Sequence, residues 1–169
     1  MKASAVWSSP PVLAARSLLW TFLLPGVVTY FMPRWYGGLR AANLHFDVPG
    51  YIGLFLISCG LIPLLHSIYE FAHRGKGTLS PVDPPKTLVV SGLYRYVRNP
   101  MYVGVLSILL GETLLLRTRG MMIWAFTFFL MVNFWVLVYE EPVLERMFGA
   151  SYSEYCRRVR RWLPRFKPY

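Results

Sequence analysis

MMIWAFTFFLMVNFWVLVY, residues 121–139, runs nineteen positions without a charge. At about 1.5 Å rise per residue, a helix of that length matches a hydrocarbon core about 30 Å thick. Three further stretches have the same character. SLLWTFLLPGVVTYFMP fills residues 17–33 and VPGYIGLFLISCGLIPLLHSIY fills 48–69. Between Arg98 and Arg117 only Glu112 interrupts the apolar run. The sequence therefore predicts an all-α integral membrane protein with about four transmembrane helices, near 13–33, 48–70, 100–116 and 120–140. A single membrane domain, 1–169, is expected to hold them all. Pro25 and Pro63 fall inside the first two spans, where neighbouring helices tolerate a kink. Arg117-Thr118-Arg119-Gly120 is so short that the last two spans must form a tight antiparallel hairpin.

Composition agrees with lipid as the solvent. The chain of 169 residues is 55% hydrophobic and 15% charged, against about a quarter charged in soluble domains. Its net charge of +10 lies between and after the apolar stretches, which fits anionic headgroups and argues against nucleic acid. A signal peptide at the N-terminus fits only loosely, because Pro10-Pro11 breaks it. Cys59 and Cys156 lie in unlike surroundings, and neither they nor His45, His66 and His73 have metal-ligand spacing, so neither a disulfide nor a metal is expected. With four spans, fourteen Lys and Arg fall on the side of both termini and four on the other. The positive-inside rule then puts both termini in the cytoplasm, in the inner (plasma) membrane.

The cytoplasmic loop after the second span carries the chemistry. Pro81, Pro84 and Pro85 hold it extended. Leu88, Val89 and Val90 are too few to span, and Gly92 allows a turn. Asn99-Pro100 reads as a helix start, with Asn as N-cap and Pro at the first helical position. The positive dipole end of the third span then faces the cytoplasm. Glu140 and Glu141 close the fourth span on the same side, with Tyr94, Tyr96 and Tyr102 nearby. A zwitterion carrying extra positive charge suits such a pocket: its carboxylate at the helix start, its ammonium at a glutamate, a sulfonium on an aromatic face. The plainer reading pairs Glu140 and Glu141 with the C-terminal arginines.

LVVSGLYRYVRNPMYVG (88–104) followed by EEPVLERMFGASYSEYCRRVRRWLP (140–164) resembles the isoprenylcysteine carboxyl methyltransferase and phospholipid methyltransferase superfamily. Its members carry an LVxxGxYxxxRHPxYxG segment, then a Glu pair and a Tyr-rich basic tail. The resemblance covers about 86–164, and the two N-terminal spans match only in type. It implies a cytoplasmic S-adenosylmethionine pocket at Lys86, Thr87, Leu88, Val89, Tyr94, Asn99, Pro100, Met101, Tyr102 and Glu140. It also implies methyl transfer to a lipophilic or small carboxyl, thiol or amine acceptor that arrives through membrane lipid. Two positions depart from the pattern. Asn99 stands where the family has histidine, and Val136 where the prenylcysteine enzymes carry an arginine. The substrate side is accordingly expected around Val136, Arg98 and Glu141, with a prenylcysteine a poor acceptor. The alternatives are an NADPH-dependent reductase of the sterol-reductase type, whose core is related, and a non-catalytic membrane protein.

Two smaller expectations complete the reading. Glu112, five residues before Arg117, is expected to pair with Arg117 or Arg119. Ser151 and Glu154 have capping-box spacing, and Tyr152, Tyr155, Cys156, Val159 and Trp162 recur at helical spacing. They predict a C-terminal interfacial helix that also forms a wall of the pocket.

Overall fold

The computed structural model describes residues 26–35, 44–73 and 87–169, and among these every regular element is helical. Most of the expected first span lies outside the described residues. Its end is a π turn, Val27–Phe31, running into α1, Met32–Trp35. The other helices are α2 (Val48–His73), α3 (Pro100–Leu116), α4 (Arg119–Trp135), α5 (Glu141–Phe148) and α6 (Ala150–Arg158).

Asp47 starts α2. Its carboxylate accepts from Gly50 N at 3.2 Å and is gripped by the Arg117 guanidinium. That hydrogen bond holds its carboxyl below the usual range. Arg117 adopts a left-handed conformation, φ 50°, and ends α3 with its N–H on Thr113 O. Thr118 then opens α4 by accepting from Met121 N at 3.3 Å. Two residues thus reverse the chain, which is the hairpin the sequence requires. Because Arg117 is committed to Asp47, the expected Glu112–Arg117 pair does not form. Among the described residues Glu112 has no ion pair, and its Oε2 is buried without a hydrogen-bond partner.

α2 and α3 pack antiparallel through glycines. Gly53 lies against Gly111, and Gly60 against Gly104. In both helices the glycines are seven residues apart, two turns, and so share a face. A Cβ on Gly60 would sit 2.6 Å from Gly104 O, and a Cβ on Gly104 2.6 Å from Gly60 O. Lipid gives apolar side chains no reason to prefer each other, so close backbone approach is what holds such helices together. On its other side α3 meets α4 through Leu109, Leu116, Met121 and Trp124. The Trp124 indole N–H donates to Val28 O at 2.9 Å, which anchors the end of the first segment.

The outer faces of α2 and α4 carry Ile52, Phe55, Leu65, Phe126, Leu130 and Phe134, all exposed. Apolar stretches of 23 residues, Val48–Glu70, and 30 residues, Arg119–Phe148, are long enough to cross a membrane, and of an apolar run of 18 residues within each only 22% and 28% is buried within the protein. A soluble protein would hide such helices, so this is a membrane protein. Pro100–Leu116 is apolar but shorter.

The fourth helical stretch does not stop at Glu140. It passes through a π turn, Val136–Glu140, and continues as α5. Pro142 follows this π turn. The C-terminal segment also differs from its sequence reading. Gly149, φ 52°, precedes α6, so Ser151 lies inside the helix and caps nothing. Val159 is extended, so Trp162 is beyond the helix. The tail instead runs back along the loop before α3. Arg98 N donates to Arg160 O at 2.9 Å, Arg165 N to Tyr96 O at 2.9 Å, and Tyr169 N to Arg95 O at 3.0 Å.

Gly104→Val places methyls in the α3–α2 contact, where the obstacle is backbone. The expected loss is about 1–3 kcal/mol or more, read as a lower thermal midpoint in detergent. Gly26→Ala, with no atom within 4 Å of the added Cβ, is expected to leave the midpoint unchanged. Equal midpoints for all three proteins would remove the glycine contact from the account.

Candidate functional site

Gly92 allows the turn that begins the site. Its φ is 53°, which suits glycine, and a Cβ there would strike the His66 imidazole. Ser91 donates to the buried Glu70 carboxylate, and Leu93 N lies 3.4 Å from His66 Nε2. The end of α2 therefore fixes the turn Gly92–Arg95 from one side. From the other, the Tyr155 hydroxyl donates to Tyr94 O at 2.6 Å. A side-chain hydrogen bond joins the Tyr94 phenol to Ser67, itself fully buried. Burial, with Glu140 and Glu70 adding to it, pushes the Tyr94 pKa far up. Tyr94 therefore stays protonated at neutral pH.

Ahead of this turn, Thr87, Leu88, Val89, Val90 and Ser91 line a cleft of about 250 Å³. Leu88 and Val90 also pack on Tyr152, Tyr155 and Val159 of the C-terminal segment, which backs this loop. Lys86 lies outside the described residues.

α3 begins at Pro100 with Asn99 before it, yet the Asn99 side chain does not cap the helix. Its Nδ2 lies 3.4 Å from Arg161 O. The N-cap position therefore leaves the first turn of α3 without a side-chain cap. Tyr102, in that turn, donates to Glu140 Oε2 at 3.1 Å. Met101 instead packs on the core between α2, α3 and α4. The structure thus brings Tyr94, Tyr102 and Glu140 together and turns Met101 inward.

The two glutamates part company. Glu141 accepts two hydrogen bonds from Arg161, at 2.8 and 2.6 Å, and forms an ion pair with Arg98 Nη1 at 3.0 Å. The Arg161 pKa is raised by that partner. Arg98 Nη1 also donates to Cys156 Sγ. Glu140, one residue earlier, has no cation beside it among the described residues and holds only the Tyr102 phenol. The plainer sequence reading thus describes Glu141 and not Glu140. Val136, one turn before Glu140, is 1% exposed and packed.

Sequence reasoning missed three contributors, Ser67, Glu70 and Asn133. Ser67 and Glu70 lie one turn apart at the end of an apolar helix, a polar face that periodicity could have revealed. Trp162 and Asn133 meet through an indole N–H···O bond of 3.1 Å, which nothing local announces.

These features define an all-helical membrane protein with an acid-and-aromatic site at one end of the bundle. Residues 49–151, well over half of the chain, match the phospholipid methyltransferase family. The chain belongs to that family of membrane methyltransferases. The match takes in α2, which supplies Ser67 and Glu70. A Haemophilus influenzae protein described only as uncharacterized is 40% identical over 63 residues, 37% of this chain and 100% of the relative. No solved structure matches.

Glu141→Ala leaves Arg98 and Arg161 without their carboxylate. Losing these charge-assisted bonds should cost about 1.5–3 kcal/mol locally, so the tail opens roughly ten- to a hundredfold more often. Limited trypsin digestion should cut at the 157–165 arginines faster by that factor, with helix content unchanged. Protection equal to the parent protein would show that Glu141 does not hold the tail.

Proposed function

We propose that this protein is an S-adenosylmethionine-dependent methyltransferase of a single membrane domain, with four spans and both termini in the cytoplasm. The cofactor site consists of Thr87, Leu88, Val89, Tyr94, Asn99, Pro100, Tyr102 and Glu140, with Met101, whose side chain packs on the core, included by the family resemblance alone. Lys86 joins this set by the family resemblance. The acceptor is a lipophilic or small carboxyl, thiol or amine compound reached through the bilayer. Arg98, Glu141 and Val136 lie on its side.

One observation carries the reading. Among the described residues Glu140 is a carboxylate without a cationic partner, beside a Glu141 that has two. The donor set suits the cofactor. Glu140 complements an ammonium, the uncapped first turn of α3 a carboxylate, and the Tyr94 and Tyr102 rings a sulfonium. When bound, S-adenosylmethionine supplies a methyl group already activated by its sulfonium. What remains for the protein is alignment and the exclusion of water. The buried Tyr94 and Val89, with α6 backing their loop, keep water out, and the Tyr102–Glu140 bond fixes the carboxylate. The family match supports methyl transfer over a reductase or a non-catalytic role.

Val136 limits the acceptor. A prenylcysteine carboxylate would find a packed valine where a guanidinium is needed. An unpaired buried carboxylate costs several kcal/mol.

Glu140→Gln and Tyr102→Phe are expected to weaken S-adenosylmethionine binding roughly ten- to a hundredfold, the worth of one charge-assisted hydrogen bond of about 1.5–3 kcal/mol. Calorimetry on the purified proteins reads this directly. Unchanged affinity in Glu140→Gln would take that residue out of the site. For topology, a reporter fused after Tyr169 should be active only in the cytoplasm. Activity only outside would invert the arrangement and the site with it.

A further inference from the structure

Phe129, Asn133, Val136 and Glu140 fall at helical spacing on one stripe of α4 and its π turn. Opposite them on α3 stands Tyr102, bonded to Glu140. The seam beside this pair is filled by a residue from neither helix. Trp162 comes in from the C-terminal tail, its ring centroid 6.4 Å from that of Tyr102 and 5.9 Å from that of Phe129. Its indole N–H donates to Asn133 Oδ1 at 3.1 Å.

Asn133 is the oddity. It lies two turns from Glu140, about 10 Å along the helix, within a stretch long and apolar enough to span the membrane. A carboxamide at that depth is costly unless it is bonded. Its partner is Trp162, which sits on an irregular segment after α6 rather than on a rigid helix. The tail is held one and two residues earlier by Arg161 on Glu141 and by Arg98 N on Arg160 O. Asn133 and the Glu141 cluster thus fasten the same indole from two sides.

We propose that Trp162 is the specificity-determining residue of the bilayer-side opening. The apolar part of the acceptor passes between α3 and α4 by displacing the indole, and the carboxamide of Asn133 then meets the acceptor's polar end. The size of the indole sets the bulk that is admitted. Removing it favours bulky acceptors over slender ones. This rests on the methyl-transfer reading, and two readouts separate the two ideas.

The first readout needs no turnover. In detergent, the cysteine of Asn133→Cys is labelled with N-ethylmaleimide, and labelling of Cys59 and Cys156 in the parent is subtracted. Combining it with Trp162→Ala is expected to speed labelling at least tenfold. Combining it with Trp162→Phe, which keeps a ring in the seam, should give at most a threefold gain. The second readout is methyl-label transfer to thiol, amine and carboxyl acceptors bearing either a butyl or a farnesyl chain. Trp162→Ala should raise the farnesyl-to-butyl ratio of kcat/KM at least tenfold, with S-adenosylmethionine affinity within about twofold of the parent. Equal labelling with and without Trp162, or an unchanged ratio with cofactor affinity intact, overturns the proposal. Should the parent bind no S-adenosylmethionine, the methyl-transfer reading fails, while the labelling rates still decide whether Trp162 closes the seam.

Discussion

The backbone contact between Gly53–Gly60 and Gly104–Gly111 sets where everything else can go. It fixes both the separation and the register of α2 and α3. Continuing the stripe on α2 by seven residues from Gly60 arrives at Ser67, fully buried and bonded to Tyr94. Glu70 follows one turn later and takes the Ser91 hydroxyl. The glycine seam thus leads directly into the loop that lines the cleft. Slide one helix along the other, and Tyr94 and Ser91 lose their partners together. In lipid no hydrophobic force would restore the register, so the packing of small residues has to define it.

From that frame the second constraint follows, which is where positive charge goes. Two adjacent glutamates face different environments, because neighbouring residues on a helix point about 100° apart and because a π turn ends between them. Such single turns frequently accompany functional sites. Here the turn leaves Glu141 to Arg98 and Arg161 and Glu140 to Tyr102. The arginine-rich tail is therefore a working part of the fold. It neutralises one carboxylate, backs the cleft-lining loop through Tyr155, and puts Trp162 into the seam.

The sequence told some of this and not the rest, for physical reasons. The lack of charge in 121–139 and the two-residue reversal at Arg117-Thr118 are local, and both were legible. So was the helix start at Pro100, since proline prefers the first helical position. The meeting of Tyr102 with Glu140 followed from chain direction alone. The π turn has no compositional mark, so the fourth helix seemed to end at its glutamates. Periodicity from Tyr152 to Trp162 suggested one helix, but at Val159 the backbone extends to reach the loop 95–98, a tertiary demand invisible to local pattern. Glu112 was expected beside Arg117 because they are close in sequence, whereas Asp47, distant in sequence, has the better geometry. The glycine pairing went unread because each glycine looks unremarkable until the other helix is placed against it.

Methyl transfer itself is the measurement that tests the account most directly. Purified protein in lipid, given S-adenosylmethionine labelled in its methyl group, should pass label to a component of a total membrane-lipid extract or to a small thiol, amine or acid. Glu140→Gln should lower that transfer at limiting cofactor by roughly the same ten- to a hundredfold as its binding. No label in any fraction, together with no heat of binding for S-adenosylmethionine, would contradict the assignment of the Tyr94–Tyr102–Glu140 site.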